Sequence, residues 1–245
     1  VAAFASQLDS LVSKYEQESR DSTEPVPQWV LPPLSCRLLE DIAKLLPPDS
    51  HAFEFGSGRS THALRRGFSA VYSVEHSADW LQTTETASAP KPGPDKLDGV
   101  KPSSLTTEVV GKRSTDETFV VPLRRCWNRL RPIESFDLAN RAEILAGLRR
   151  SRLILVDSPP NPAKREHALF LALRHAPVGG VIVLDDLAVR ATARFALRLA
   201  KQNARTLRFW PLNIDHHLGV FLKLRDRSVR SRPTLREFVG TWLRA

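Results

Sequence analysis

The sequence predicts an α/β fold built on a doubly wound, mostly parallel sheet. Two observations predict it. Short, near-continuous apolar runs alternate with segments of helical period, as expected of strands covered on both faces. The sharpest local features then fall together, each at the carboxyl end of one of those runs: Gly56–Gly58, Glu75, Asp157 and the pair Asp185-Asp186. In open α/β sheets that is the edge on which ligands bind.

The elements follow in order. Residues 2–20 predict a polar helix with Phe4, Leu8, Leu11 and Tyr15 on one stripe. A proline-punctuated connector runs from Pro25 to Pro33. Ser35 can cap a helix reaching Leu46, which Pro47-Pro48 stops. His51–Phe55 is a strand that breaks into Gly56-Ser57-Gly58, and Ser60–Arg66 opens the next helix. Ala70–Val74 is a second strand ending at Glu75. Residues 86–118, rich in Pro, Ser, Thr, Lys and Gly, predict a long loop. Phe119–Leu123 is the preferred third strand, with Leu105–Val110 the alternative. Leu138–Arg150 is helical, Arg152–Val156 a strongly apolar strand, Ala163–His175 a helix and Val181–Leu184 a strand. A helix over Val189–Gln202 precedes two late strands, Thr206–Leu212 and Gly219–Leu224, joined through Asp215-His216-His217. One domain is expected: residues 1–34 as helical cap and linker, 35–224 as core, 225–245 as extension.

Composition narrows the class. A 245-residue chain that is 42% hydrophobic can bury a sizeable core. No apolar run approaches the roughly 18–20 residues of a membrane helix. Val1–Ser10 lacks a charged stretch followed by an apolar core, so no signal peptide is expected, and the absence of methionine reads as a trimmed start. Cys36 and Cys126 are too few for a disulfide framework or a thiolate zinc site; they read as thiols of a reducing, cytoplasmic compartment. The net charge of +9 comes mostly from arginine. It favours an anionic acceptor or nucleic acid, but the basic residues are spread, and the densest run, Arg124, Arg125, Arg129 and Arg131, is interleaved only by Trp127. Nucleic acid is therefore the weaker partner, and the oligomeric state is left open.

Glu54-Phe55-Gly56-Ser57-Gly58-Arg59-Ser60-Thr61 is the most informative stretch. Glycines after a strand allow a tight turn and close approach of a ligand, and the helix that follows offers free N–H groups. A dinucleotide fingerprint would place a third glycine where Thr61 stands. Glu54 would repel a pyrophosphate but can pair with an ammonium group. The combination points away from NAD and toward a nucleoside that carries an amino acid.

These residues resemble the first motif of class I S-adenosylmethionine-dependent methyltransferases. Phe53–Thr61, Val74–Trp80 and Val156–Pro160 are similar to a subgroup that opens E-F-G-S-G-x-S-T, and the similarity runs from about residue 29 to 224. The resemblance implies a Rossmann-like sheet of about seven strands, the last two an antiparallel hairpin that 206–224 would supply. It implies that Phe55, Gly56, Ser57, Gly58 and Ser60 lie along the cofactor, with Glu54 near its methionine ammonium. Glu75, 17 positions beyond Gly58, would accept the ribose hydroxyls. His76 and Leu123 would bracket the adenine, and Asp157 would stand beside the cofactor.

Asp157, Asp185 and Asp186 are the expected chemistry. Three close carboxylates repel unless cations or protons intervene, and hard oxygen ligands suit Mg²⁺. The set resembles the metal site of cation-dependent O-methyltransferases, in which the metal holds acceptor oxygens. The plain alternative is that the pair caps the next helix and Asp157 meets solvent. Catechol-type enzymes carry a lysine shortly after the first metal Asp, where this chain has Ser158-Pro159-Pro160. Base candidates are thus Lys164, His216, His217 or a carboxylate. His51 and His62 read as structural.

The expected function is O-methylation of a small-molecule acceptor. One rival is a nucleic-acid methyltransferase: Asp157-Ser158-Pro159-Pro160-Asn161 resembles in part an Asp-Pro-Pro-Tyr motif that holds a flipped base, but Ser158 is an insertion and Asn161 replaces the aromatic. An NAD(P) oxidoreductase and a non-catalytic S-adenosylmethionine-binding protein are the others.

Overall fold

The computed structural model describes residues 1–21, 33–81, 116–128, 131–138, 141–161, 164–214 and 217–226. Most of the expected 86–118 loop, the Pro25–Pro32 connector, Leu105–Val110, His216 and residues 227–245 lie outside them. Two helices, α1 (Ala2–Asp21) and α2 (Pro33–Leu45), precede β1 (His51–Phe55), α3 (Arg59–Gly67) and β2 (Ala70–Glu75). Then come β3 (Glu117–Val120), β4 (Leu123–Asn128), β5 (Arg131–Phe136), α4 (Ala142–Arg150) and β6 (Ser151–Val156). The chain continues through α5 (Glu166–His175), β7 (Val181–Leu184), α6 (Arg190–Gln202), β8 (Leu207–Leu212) and β9 (Leu218–Lys223).

Seven strands form one sheet in the order β3-β2-β1-β6-β7-β9-β8. The first five are parallel, and β9 runs antiparallel to both β7 and β8. This is the mixed, doubly wound sheet with an antiparallel end that the sequence predicts. The topology reverses at β1, whose neighbours are β2 on one side and β6 on the other; in such sheets a crevice opens at that point.

Two-residue periodicity sorts the strands onto two cores. Ala52, Val71, Leu153, Leu155, Val181 and Val183 face α1, α2 and α3. Phe53, Phe55, Val74, Ile154, Val156, Ile182 and Leu184 face α4, α5 and α6. In α1, Leu8, Val12 and Tyr15 are buried, and the Tyr15 hydroxyl donates to Asp41 at 2.9 Å, tying α1 to α2. No helix among the described residues is long and apolar enough to cross a membrane.

The third strand corrects the sequence reading. It spans Glu117–Val120 rather than Phe119–Leu123, and Leu123 begins a separate antiparallel hairpin with β5. At the edge of the sheet β3 is mostly exposed, so it leaves no apolar run to read. Arg124, Arg125 and Arg131 of the arginine-rich stretch belong to that hairpin. Helix α4 begins at Ala142, four residues later than expected.

Candidate functional site

Strand register builds the site. Phe55 pairs with Val74 and Val156, and Val156 pairs with Leu184. The residue after each therefore falls in one row: Gly56, Glu75, Asp157 and Asp185. The ladder runs on into that row, with Gly56 N–H donating to Val74 O at 2.8 Å, Asp157 N–H to Phe55 O at 3.0 Å and Asp185 N–H to Val156 O at 3.1 Å.

Gly56 takes φ +95°, a conformation that favours glycine. The turn it starts is held from both sides. On one side Glu75, almost fully buried, accepts the N–H of Ser57 at 3.1 Å, of His76 at 2.6 Å and of Ser77 at 3.0 Å. Nδ1 of His76 lies 2.5 Å from the same carboxylate. Trp80 covers the turn, its Nε1–H donating to Ser57 O at 2.7 Å although the residue is 44% exposed. On the other side the turn abuts Asp157 and Ser158.

Glu54 stands behind the turn. It is fully buried, and three hydroxyls donate to it: Ser60 at 3.0 Å, Thr61 at 2.5 Å and Ser73 at 2.6 Å. Thr61 Oγ1 in turn accepts the Gly58 N–H at 2.9 Å. Burial pushes the Glu54 carboxyl up to about 7 against the opposing pull of the hydroxyls of Ser73, Thr61 and Ser60. The sequence places Glu54 beside a ligand's ammonium; in the structure its side-chain partners are the three hydroxyls, one of which ties it to the glycine turn. Thr61, the last residue of the motif matched in the sequence, is the link between them.

The acids gather as expected. Asp157, Asp185 and Asp186 each offer an oxygen, all within 4.8 Å of one another. Asp186 holds φ +62°. Burial, then the charge of Asp185, raises Asp157 well above the usual carboxylate range, though 30% of its side-chain surface stays open to solvent. Burial and the neighbouring Asp186 raise Asp185. Sequence reading missed the residue that joins them. Arg165 is buried at the start of α5, with Nη2 3.0 Å from Asp157 and Nη1 2.9 Å from Asp186 and 3.8 Å from Asp185. Its Nε–H donates to Pro159 O at 3.0 Å. The signal was the repulsion itself, which demands a counter-charge, and Arg165 follows the Lys164 that the sequence offered as a base.

Leu123, at the head of β4, is half-buried and packs at the margin of the α4–α6 core. His217 is exposed with φ +62°, on the rim after β7, its carbonyl accepting the Leu187 N–H at 2.6 Å. The sheet thus brings the glycine turn, Glu75 and the acids together, and the His217 backbone meets the chain one residue past Asp186.

No protein-family model matches the chain, and no curated protein sequence matches it. Solved structures do. The O-methyltransferase TomG from Streptomyces achromogenes, involved in tomaymycin synthesis and solved with S-adenosylmethionine, superposes with a TM-score of 0.54 at 16% identity, over 88% of this chain and 90% of that one. An O-methyltransferase from Bacillus cereus in complex with S-adenosylhomocysteine gives 0.52 at 14%, over 87% and 91%. The S-adenosylhomocysteine-bound methyltransferase PaMTH1 of Podospora anserina gives 0.52 at 12%, over 88% of each. The chain shares their fold.

Proposed function

We propose that the chain is a methyltransferase that uses S-adenosylmethionine to methylate an oxygen of a small-molecule acceptor. The observation that carries the reading is the Ser57–Glu75 cradle: a glycine turn after β1 bound to a carboxylate after β2, at the point where the topology reverses. The neighbours solved with S-adenosylmethionine or S-adenosylhomocysteine support it through their shared fold.

When bound, the cofactor supplies an electrophilic methyl on a sulfonium. Gly56, Ser57 and Gly58 would line its methionine part, with Phe55 and Ser60 as walls. Glu75 would accept the ribose hydroxyls, and His76 and Leu123 would flank the adenine. The acceptor would lie across the turn, against Asp157 and Asp186. The acceptor's proton would pass to a base of this chain. Asp186, the more open of the acidic pair, fits that part; its side chain is 23% exposed against 6% for Asp185. His216 and His217 are the other candidates, from the β8–β9 connection. Most of the rate would come from orientation.

Calorimetric titration with S-adenosylhomocysteine, with NAD as control, tests the cofactor class. One-to-one micromolar binding of the first alone supports the reading. Binding of NAD alone would replace it with an oxidoreductase, and binding of neither would leave only the fold.

A further inference from the structure

The acids after β6 and β7 are where the sequence resemblance would put Mg²⁺. Such an ion needs oxygens at about 2.0–2.1 Å in near-octahedral array. The structure shows a different cation there. The Arg165 guanidinium lies within 3.8 Å of all three carboxylates, and Arg165 is 3% exposed. Pro159 O fixes its inner edge through Nε. A divalent ion equidistant from the acids would meet that positive group at contact distance, so the trio as arranged does not fit the metal.

Local structure does not explain the arginine. Arg165 is the N-cap of α5 and makes no side-chain capping hydrogen bond. A cation there opposes the helix dipole, and Ser, Thr, Asp or Asn are the preferred caps. Its neighbour Glu166 pairs with Arg198. The acids are what its position answers. Nη1, moreover, is buried in ion-pair contact with Asp186 but has no aligned hydrogen-bond acceptor among the described residues. A planar guanidinium fork, with five N–H donors, can reach two carboxylates at once.

We propose that Arg165 is the resident cation of this site: a guanidinium built into the chain takes the place of a divalent metal beside Asp157, Asp185 and Asp186. The assignment does not depend on the methyltransferase reading.

The test is a Mn²⁺ titration of the purified protein, followed by the electron paramagnetic resonance of the free ion. Wild type should bind no stoichiometric Mn²⁺ up to millimolar concentration. Arg165→Ala or Arg165→Met, whichever melts cooperatively, should gain one site at least tenfold tighter, and adding Asp185→Asn should abolish it. One equivalent bound by wild type and lost in Asp186→Asn overturns the proposal, as does a folded Arg165 variant that gains nothing. If neither variant folds, the wild-type titration decides, because the proposal requires it to stay empty. S-adenosylhomocysteine titrated into the same samples reads the cofactor class separately: its failure removes the methyltransferase reading and leaves the Mn²⁺ result standing.

Discussion

Gly56 and Ser158 are packed so closely that a Cβ built on the glycine would fall 2.9 Å from the serine Cβ. The contact joins the turn after β1 to the segment after β6, and it coincides with φ +95° at Gly56. Two separate penalties therefore meet any side chain at this position. Gly56→Ala should destabilise the protein by about 2–4 kcal/mol and weaken S-adenosylhomocysteine binding at least tenfold. Ser158→Gly in the same chain should restore only part of the stability, since it removes the clash and not the backbone strain. Urea unfolding of the single and double variants measures this; full restoration would show that the backbone conformation costs nothing.

Glu54 gives the stability a pH dependence of fixed sign. Its carboxyl sits at about 7 in the folded protein against an ordinary 4.5. The native state therefore holds this proton where the unfolded chain has lost it. The resulting stabilisation is complete below pH 4.5 and is lost as pH rises through 7. A shift of that size corresponds to about 3 kcal/mol. Glu54→Gln removes the titration, so the gap between wild type and variant should move by about 2–3 kcal/mol in the variant's favour from pH 5 to pH 8. Equal gaps at both pH values would mean the three hydroxyls hold the carboxylate charged.

Glu75 accepts three backbone N–H groups and is proposed to take the ribose. Glu75→Ala should cost cofactor affinity about 10–100-fold, the scale of losing charge-assisted hydrogen bonds worth about 1.5–3 kcal/mol. Glu75→Gln keeps one acceptor oxygen, enough for the His76 and Ser77 N–H groups that share Oε1, and should fall between. Calorimetry on both variants is the check, and an unaltered affinity in Glu75→Ala would remove the residue from the cofactor site.

Trp80 offers an optical readout. Its indole is half in solvent and bonded to Ser57 O, on the turn where the cofactor is proposed to lie. S-adenosylhomocysteine should change the tryptophan emission of wild type. Trp80→Phe, with the other four tryptophans intact, should lose most of that change. A signal that survives in Trp80→Phe would place the ligand elsewhere.

The sequence made some parts of the molecule legible and hid others for identifiable reasons. β1 and β7 have the bounds expected of them, His51–Phe55 and Val181–Leu184, because each is an apolar run cut off by a glycine or an acid. β3 was misplaced because an edge strand with exposed Glu117, Thr118 and Val120 carries no burial pattern. The β4–β5 hairpin was hidden by its arginines, which read as a charged surface run. The meeting of the three acids could be inferred, since adjacent strand ends force it. Arg165 could not be placed, because the α5 N-terminus is brought over the acids by the turn through Pro159, which no periodicity encodes. Glu54 could be found but not understood until its three hydroxyl partners were seen.

The row of strand ends also dictates an order of events during synthesis. β1 and β2 are near neighbours in sequence, and Gly56 and Glu75 leave the ribosome almost together. Ser158, the wall against which the turn rests, emerges about a hundred residues later, a delay of roughly 5–20 s at ordinary elongation rates. β9, which locks β7 to β8, comes later still. A nascent chain that pairs β1 with β2 before β6 emerges would carry its glycine turn open on one side, with the other edge of β1 unpaired. A ribosome stalled between residues 80 and 150 would hold an unprotected sheet edge, the kind of surface on which chaperones act.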